Sequence, residues 1–233
     1  MSAEQESTGL AVKAVHNKVA VIDVDGTLYR ANTLFSFSEY FWYRRSTIKW
    51  IFLKSGSTLP GKAFFELVSL FGIKNARRSL VIKMFQGVPL SDLQAAAALY
   101  VSAVLPKFEV GETFDLVRQF QREGYAIYLI SGSIDPIINA VAARVGADWW
   151  SSAELESVLN VVVGDLRSDV RGSKLEVLKR QNPHVTEFCA VTDNPEDLEL
   201  IIASNSAWVI TKARKRRWWR RVLPRHAKLM ELR

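Results

Sequence analysis

The chain carries almost no thiol: among its 233 residues there is one cysteine, Cys189. A lone cysteine excludes an internal disulfide framework, and its place in the apolar run Phe188 to Thr192 reads as a buried structural thiol in a reducing compartment. No uninterrupted apolar run approaches the roughly 20 residues of a membrane span, and there is no internal repeat or low-complexity tract. The first 17 residues carry Glu4 and Glu6 and lack the continuous apolar core of a secretory signal, so a loose N-terminal tail and a cytoplasmic location are expected. Excess positive charge is also missing from most of the chain. Residues 212–233 hold ten Lys or Arg against one acid, Glu231; since the whole chain stands at +7, residues 1–211 stand at about −2. Apolar residues are not scarce, and a hydrophobic content of 48% can bury one full core with a modest inserted domain.

What is present begins at Val19 to Thr27, where an apolar strand runs into Asp23, Asp25 and Gly26. A β-branched run of this kind reads as a buried strand of a parallel sheet, and ligands gather at the carboxyl ends of such strands. Side chains two apart in an extended chain share a side, so Asp23 and Asp25 point into one crevice while Gly26 permits a sharp turn. Their mutual repulsion calls for a divalent cation, a proton, or both; the simpler reading is an Asp-Gly turn closing a strand. Later strand tips decide between the two. Tyr125 to Ile130 reads as a second strand leading into Ser131-Gly132-Ser133 and a helix from Pro136 to Val145, a junction whose hydroxyl and backbone N–H groups suit a phosphate oxygen. Phe188 to Thr192 reads as a third, ending at Asp193, with Asn194 as N-cap and Pro195 opening a helix. Between them Lys174 falls in the first turn of a helix running to Arg180, where a cation opposes the helix dipole and so points to pairing with phosphate or carboxylates.

In order, Asp-x-Asp-Gly-Thr, strand-Ser-Gly-Ser, Lys and Asp-x-x-x-Asp resemble the four motifs of the haloacid dehalogenase superfamily of phosphohydrolases, over roughly Val19 to Ile210. About 85 residues of helical pattern separate the first motif from the helix before the second strand, too long for an ordinary connection. Such an insertion resembles the helical cap of the phosphoserine-phosphatase-like branch. Within that branch the words Asp-Gly-Thr-Leu-Tyr-Arg-Ala-Asn-Thr-Leu-Phe-Ser-Phe and Ser-Ser-Ala-Glu-Leu-Glu are most similar to a bacterial hydrolase group that includes a phosphatidylglycerophosphate phosphatase.

The resemblance implies an α/β fold, a doubly wound Rossmann-like parallel sheet, with core at 18–30 and 111–211 and a helical cap at 31–110. Residues 1–17 and 212–233 would then be an N-terminal tail and a basic, Trp-containing C-terminal tail. It also implies roles. Asp23 would be the nucleophile, which the reference carboxyl value of about 3.9 leaves ionised at neutral pH without a base, and would form an aspartyl-phosphate. Asp25 would protonate the leaving oxygen and then activate water, which asks for a higher pKa than that of Asp23. Mg2+ would be held by the Asp23 side chain, the Asp25 backbone carbonyl and Asp193, with waters and an outer contribution from Asp197. Ser131, Gly132, Lys174 and Thr27 would hold phosphoryl oxygens. Asp197 serves equally as a helix-capping acid and Thr27 as a turn cap, and Ser133 reads as a helix N-cap. Thr192 stands where the family usually has a glycine before Asp193, which would crowd the metal loop without removing a ligand.

Two further clusters bear on the substrate. The basic segment interleaves Trp218, Trp219, Val222 and Leu223 with its cations, a composition that suits an anionic membrane surface at about 1 kcal/mol per basic residue. A solvated tail whose tryptophans pack on the core ranks close behind, and nucleic acid third. From Phe35 to Phe52 eight aromatics occur in eighteen residues. Some form the cap's own core, and the surplus is available for an apolar substrate groove or a bilayer surface. Phosphoserine phosphatases usually place an acid soon after the first motif, where this chain has Arg30-Ala31-Asn32, which disfavours phosphoserine. The favoured activity is Mg2+-dependent hydrolysis of a phosphorylated lipid or amphiphile. A soluble sugar phosphate or phosphoserine, transfer to an alcohol instead of water, and a non-catalytic membrane module are the alternatives.

Overall fold

In the computed structural model, which describes residues 16–57 and 75–231, one sheet holds seven strands: β1 (Lys18–Ile22), β2 (Ala126–Ile134), β3 (Trp149–Val158), β4 (Val161–Ser168), β5 (Glu187–Thr192), β6 (Ser206–Thr211) and β7 (Ala227–Glu231). Their spatial order is β4-β3-β2-β1-β5-β6-β7, parallel except for the β3–β4 hairpin. The chain leaves β1 toward β2 and later returns to its other side as β5, so the point where the winding reverses lies at β1. A crevice opens beyond the carboxyl ends of strands at such a point.

From Val19 to Ile22 β1 needs an apolar residue at every position because both faces of the sheet are covered. Ala20 and Ile22 join one apolar cluster with Ile127 and Leu129, while Val19 and Val21 join another with Ala126 and Tyr128. Cys189 lies buried in the first cluster as a free thiol. The first cluster continues without a break into the inserted helices α1 (Thr33–Trp42), α2 (Thr47–Ser57), α3 (Ala76–Lys83) and α4 (Leu90–Ala103), through Phe37, Phe41, Phe85 and Tyr100. The two ends of the insertion clasp each other: Arg30 N donates to Phe108 O at 2.7 Å and Val110 N to Leu28 O at 2.9 Å. Helices α5 (Gly111–Arg122), α6 (Asp135–Val145), α7 (Lys174–Gln181), α8 (Leu198–Ala203) and α9 (Ala213–Val222) complete the described residues. The α/β sheet with inserted helices agrees with the sequence reading.

Three particulars differ from it. The expected N-terminal tail lies, up to residue 15, outside the described residues, but His16 and Asn17 are tied to the core: Asn182 Nδ2 donates to His16 O at 2.6 Å, and Glu187 N to Asn17 O at 3.1 Å. Residues 212–231 are no tail. They form α9 and the edge strand β7, which pairs with β6 from Ala207↔Ala227 to Thr211↔Glu231, and Trp219 is fully buried in the second cluster. Finally, β2 runs on past Ile130 to Ile134, so Ser133 stays on the strand, and the residue flanking α6 is Ile134.

Candidate active site

The tips of β1, β2 and β5 and the start of α7 deliver their side chains to one cavity of about 400 Å³. Asp23 extends β1 by one rung, its N–H donating to Val191 O at 2.9 Å. The chain then coils tightly, with Leu28 N and Tyr29 N both donating to Val24 O. This turn passes through Gly26 at φ +79°, and a Cβ there would lie 2.3 Å from Asp193 Oδ2. The glycine therefore answers two demands, a left-handed backbone and room for the opposing carboxylate. Gly26→Ala should displace Asp193 and lower kcat/KM by about 100-fold, the scale set by a misplacement near 1 Å; a steady-state assay beside a thermal melt checks it, and wild-type kinetics would show that the carboxylate's position is unimportant.

Asp23 is buried, its Oδ1 2.8 Å from Lys174 Nζ. The same ammonium donates to Asp197 Oδ2 at 2.8 Å, and Thr192 Oγ1 donates to that oxygen at 2.5 Å. Thr192 thus fastens Asp197, which fastens Lys174, which holds Asp23. The threonine also accepts from Asn194 N at 3.0 Å, so the substitution expected to crowd this loop organises it. Asp197 has no cap hydrogen bond from its side chain. Its Oδ2 is taken by Lys174 and Thr192, and its buried Oδ1 has no hydrogen-bond partner.

Asp25 turns toward the inserted helices. Its Oδ1 accepts from Thr33 N at 2.9 Å, at the start of α1, and Thr33 Oγ1 donates to Ser133 Oγ at 2.6 Å. Ser133 therefore links β2 to the inserted helices and is not the N-cap. Ser131 is buried at the cavity wall, its Oγ accepting from Ser133 N at 3.2 Å, and Gly132 lines the same wall. Thr27 is fully buried behind the carboxylates, 3.4 Å from Asp23 Oδ2 and 3.5 Å from Asp193 Oδ1. Its hydroxyl braces the two carboxylates from outside the residues that line the cavity.

The electrostatics follow from three carboxylates sharing too few cations. Burial raises Asp25 to about 6 despite the hydrogen bonds from Thr33. Burial, then the charge of Asp23, raises Asp193 to about 7. Asp23 also rises, burial outweighing the pull of Lys174. For Lys174, burial works against the charge, but the two carboxylates outweigh it and hold the ammonium above its usual range. Among the described residues no group of three His, Cys, Asp or Glu side chains is arranged to hold a metal ion alone. Two carboxylates and a backbone carbonyl completed by water remain a donor set suited to Mg2+, which keeps several waters and takes only oxygen ligands.

Several lining residues had no sequence signal. Arg78 of α3 donates to Gly132 O at 2.8 Å and pairs with Asp169, while Arg77 stacks over Phe35, 4.2 Å from its ring centroid. Arg171 reaches Asn75 Oδ1 at 2.9 Å and Glu196 at 3.2 Å, joining the core to the inserted helices across the cavity mouth. Lys215 comes from α9, inside the segment read as a tail.

A comparison with curated proteins finds no significant match. Solved structures share the fold at low identity. A protein of unknown function from Bordetella pertussis Tohama I matches with a TM-score of 0.74 and 13% identity, over 92% of this chain and 98% of that one. A phosphoserine phosphohydrolase-like protein from Francisella tularensis subsp. tularensis SCHU S4 matches at 0.58 and 15%, over 91% and 94%. A phospho-aspartyl intermediate analogue of phosphoserine phosphatase matches at 0.53 and 13%, over 83% and 86%. The family model for haloacid dehalogenase-like hydrolases matches residues 20–201, which span β1, the inserted helices and the Asp193 loop: the chain belongs to the haloacid dehalogenase-like hydrolase family.

Proposed function

We propose that this chain is a Mg2+-dependent phosphomonoester hydrolase that works through an aspartyl-phosphate on Asp23 and favours a phosphorylated amphiphile. The observation that carries the reading is the clamp of Lys174 between Asp23 and Asp197, both at 2.8 Å, facing Asp25 and Asp193. Lys174 orients the Asp23 carboxylate for attack on phosphorus and takes up charge on the phosphoryl oxygens, as Ser131 does from the other wall. Asp25, near pKa 6, is placed to give a proton to the departing alkoxide and then to take one from the water that opens the aspartyl-phosphate. Asp23, the Asp25 carbonyl and Asp193 would hold Mg2+, which when bound neutralises phosphate charge so that a carboxylate can approach. The solved phosphoserine phosphatases that share the fold support the reaction class, and the absence of an acid at Arg30-Ala31-Asn32 argues against phosphoserine itself.

The amphiphile preference rests on Leu34 and Phe35, which give the cavity an apolar wall, and on exposed apolar side chains nearby in sequence. Phe37, Phe41 and Trp42 are consumed by the core, whereas Tyr43 is 58% and Phe52 40% exposed, as is Trp218 on α9 at 42%. Among the described residues no helix is long and apolar enough to cross a membrane, so a bilayer would be met at its surface. Phosphate release from phosphatidylglycerophosphate in anionic vesicles, set beside phosphoserine and sugar phosphates with Asp23→Asn as the blank, tests both halves. Preference for a soluble ester would remove the amphiphile, and no release above the blank from any substrate would remove the hydrolase.

A linkage experiment tests the metal separately. Because Asp25 and Asp193 are raised to about 6 and about 7, the folded chain without a cation binds more protons than the unfolded chain between roughly pH 4 and 7. Their contribution to stability is therefore largest in acid and falls as pH rises through that window. A cation binds the ionised form, so Mg2+ should raise the melting temperature more at about pH 8 than at about pH 5.5, and Asp193→Asn should remove most of that gain. An Mg2+ effect independent of pH would exclude these carboxylates as ligands.

A further inference from the structure

A second cavity, of about 340 Å³, adjoins the first and shares Asp25, Asn32, Asp193 and Lys215 with it. Its outer wall is cationic: Arg30 from the loop after β1, and Lys212, Arg214 and Lys215 from the start of α9. Among the described residues no carboxylate lies within ion-pair distance of Lys212, Arg214 or Lys215. In the larger cavity, which shares Lys215, the cations Arg78, Arg171 and Lys174 have carboxylate partners. Folding has thus paired Arg78, Arg171 and Lys174 with carboxylates, while Lys212, Arg214 and Lys215 stand without an ion-pair partner among the described residues.

The local sequence points the same way. The first turn of α9 contains no acid and has no side-chain cap, while Arg214 and Lys215 sit in it. Cations at a helix N-terminus oppose the dipole. Such a conflict between local preference and structure marks a functional position, and an anion at this spot would relieve it. The anion has to arrive with the substrate, because the cavity opens directly onto Asp25 and Asp193, where the reacting phosphate is placed.

We propose that this second cavity is a subsite for a further phosphate group on the same substrate molecule, so that the enzyme selects phosphomonoesters carrying a second phosphate over those with one. The inference rests on the hydrolase reading of the adjoining site and names its substrate class. A bisphosphate or a phosphomonoester with an internal phosphodiester fits, since both offer a second anion a short linker away. Lys212 and Arg214 would meet that group with charge-assisted hydrogen bonds, and Lys215, at the boundary of the two cavities, would bridge the two anions.

A matched pair of ligands tests this: propane-1,3-diol bisphosphate and 3-hydroxypropyl phosphate differ only in the second phosphate. Calorimetric titration of the full Asp23→Asn chain with Mg2+ present should give a Kd about tenfold lower for the bisphosphate. Adding Lys212→Ala and Arg214→Ala should shrink the ratio below about threefold. Equal affinity for the two ligands, or a ratio unmoved by the double substitution, overturns the subsite. Turnover of the same pair by wild-type enzyme, with and without anionic vesicles, separates the remaining readings. Tight bisphosphate binding without phosphate release from either compound keeps the subsite and removes the hydrolase. Release from both at equal kcat/KM, stimulated by vesicles, assigns the cations to a membrane headgroup and overturns the proposal.

Discussion

Asp23→Asn is expected to lower kcat by at least about 10⁴-fold, the scale of losing a covalent nucleophile, while leaving the protein folded. An amide oxygen does not attack phosphorus to give a stable acyl phosphate, and none of the neighbouring carboxylates can substitute. Asp25 is drawn toward Thr33 N, Asp197 is engaged by Lys174 and Thr192, and Asp193 faces Gly26. The fold should tolerate the change because burial already disfavours the ionised form of Asp23. A neutral isostere relieves that penalty, and Lys174 keeps Asp197 at 2.8 Å, so it is not left as an unpaired buried charge. The melting temperature should stay within about 3 °C of wild type. Phosphate release and a thermal melt on the same preparation check both halves, and residual turnover near wild type would move the nucleophile elsewhere.

The parts of this site that were readable in the sequence are those encoded locally. β1, β2 and β5 are apolar runs that end in functional residues, and a parallel strand buried on both faces has no other way to look. Asn194 caps the turn that begins at Pro195, its side chain accepting from Glu196 N, as its residue type indicates. Lys174 was signalled by a local misfit, a cation in the first turn of α7, and its carboxylate partners account for it. What was hidden depends on distant partners. Ser133 looks like an N-cap until Thr33, 100 residues away in sequence, supplies a better hydrogen bond. Thr192 looks like a crowding error until Asp197 is seen to need its hydroxyl. Arg77, Arg78 and Arg171 reach the cavity by tertiary packing alone, which no spacing rule encodes. The β3–β4 hairpin escaped notice because Leu159 and Asn160, at φ +50° and +64°, take the turn positions that Asn-Gly usually marks. Composition misled at the C-terminus, where ten cations against one acid concealed a helix with a buried Trp219 and an edge strand.

Trp219→Ala is expected to destabilise the protein by about 3–5 kcal/mol, the range for deleting a buried tryptophan, whereas Trp218→Ala should cost little. The two residues are neighbours in sequence with opposite environments: Trp219 is fully buried among the residues that α9 and β7 pack against the sheet, and Trp218 is 42% exposed. A loss of that size is a large share of a total stability of roughly 5–15 kcal/mol and should lower the melting temperature by roughly 10 °C. Trp219→Phe keeps most of the volume and removes an indole N–H that has no partner in its buried position, so it should restore most of the loss. The same packing governs how the basic segment has to be probed. Removing residues 212–233 would take away Trp219 and the strand paired with β6, uncover an edge from Ala207 to Thr211, and so report on folding before it reports on charge. A membrane role for α9 is tested instead by Arg217→Glu with Arg221→Glu, two exposed positions that leave Trp219 and β7 in place. Vesicle sedimentation should then fall at least about fivefold on anionic lipid with an unchanged melt, given about 1 kcal/mol per basic residue at such a surface; binding that survives the double reversal would show that α9 is a structural helix whose cations serve the site beside Asp193 and not a bilayer.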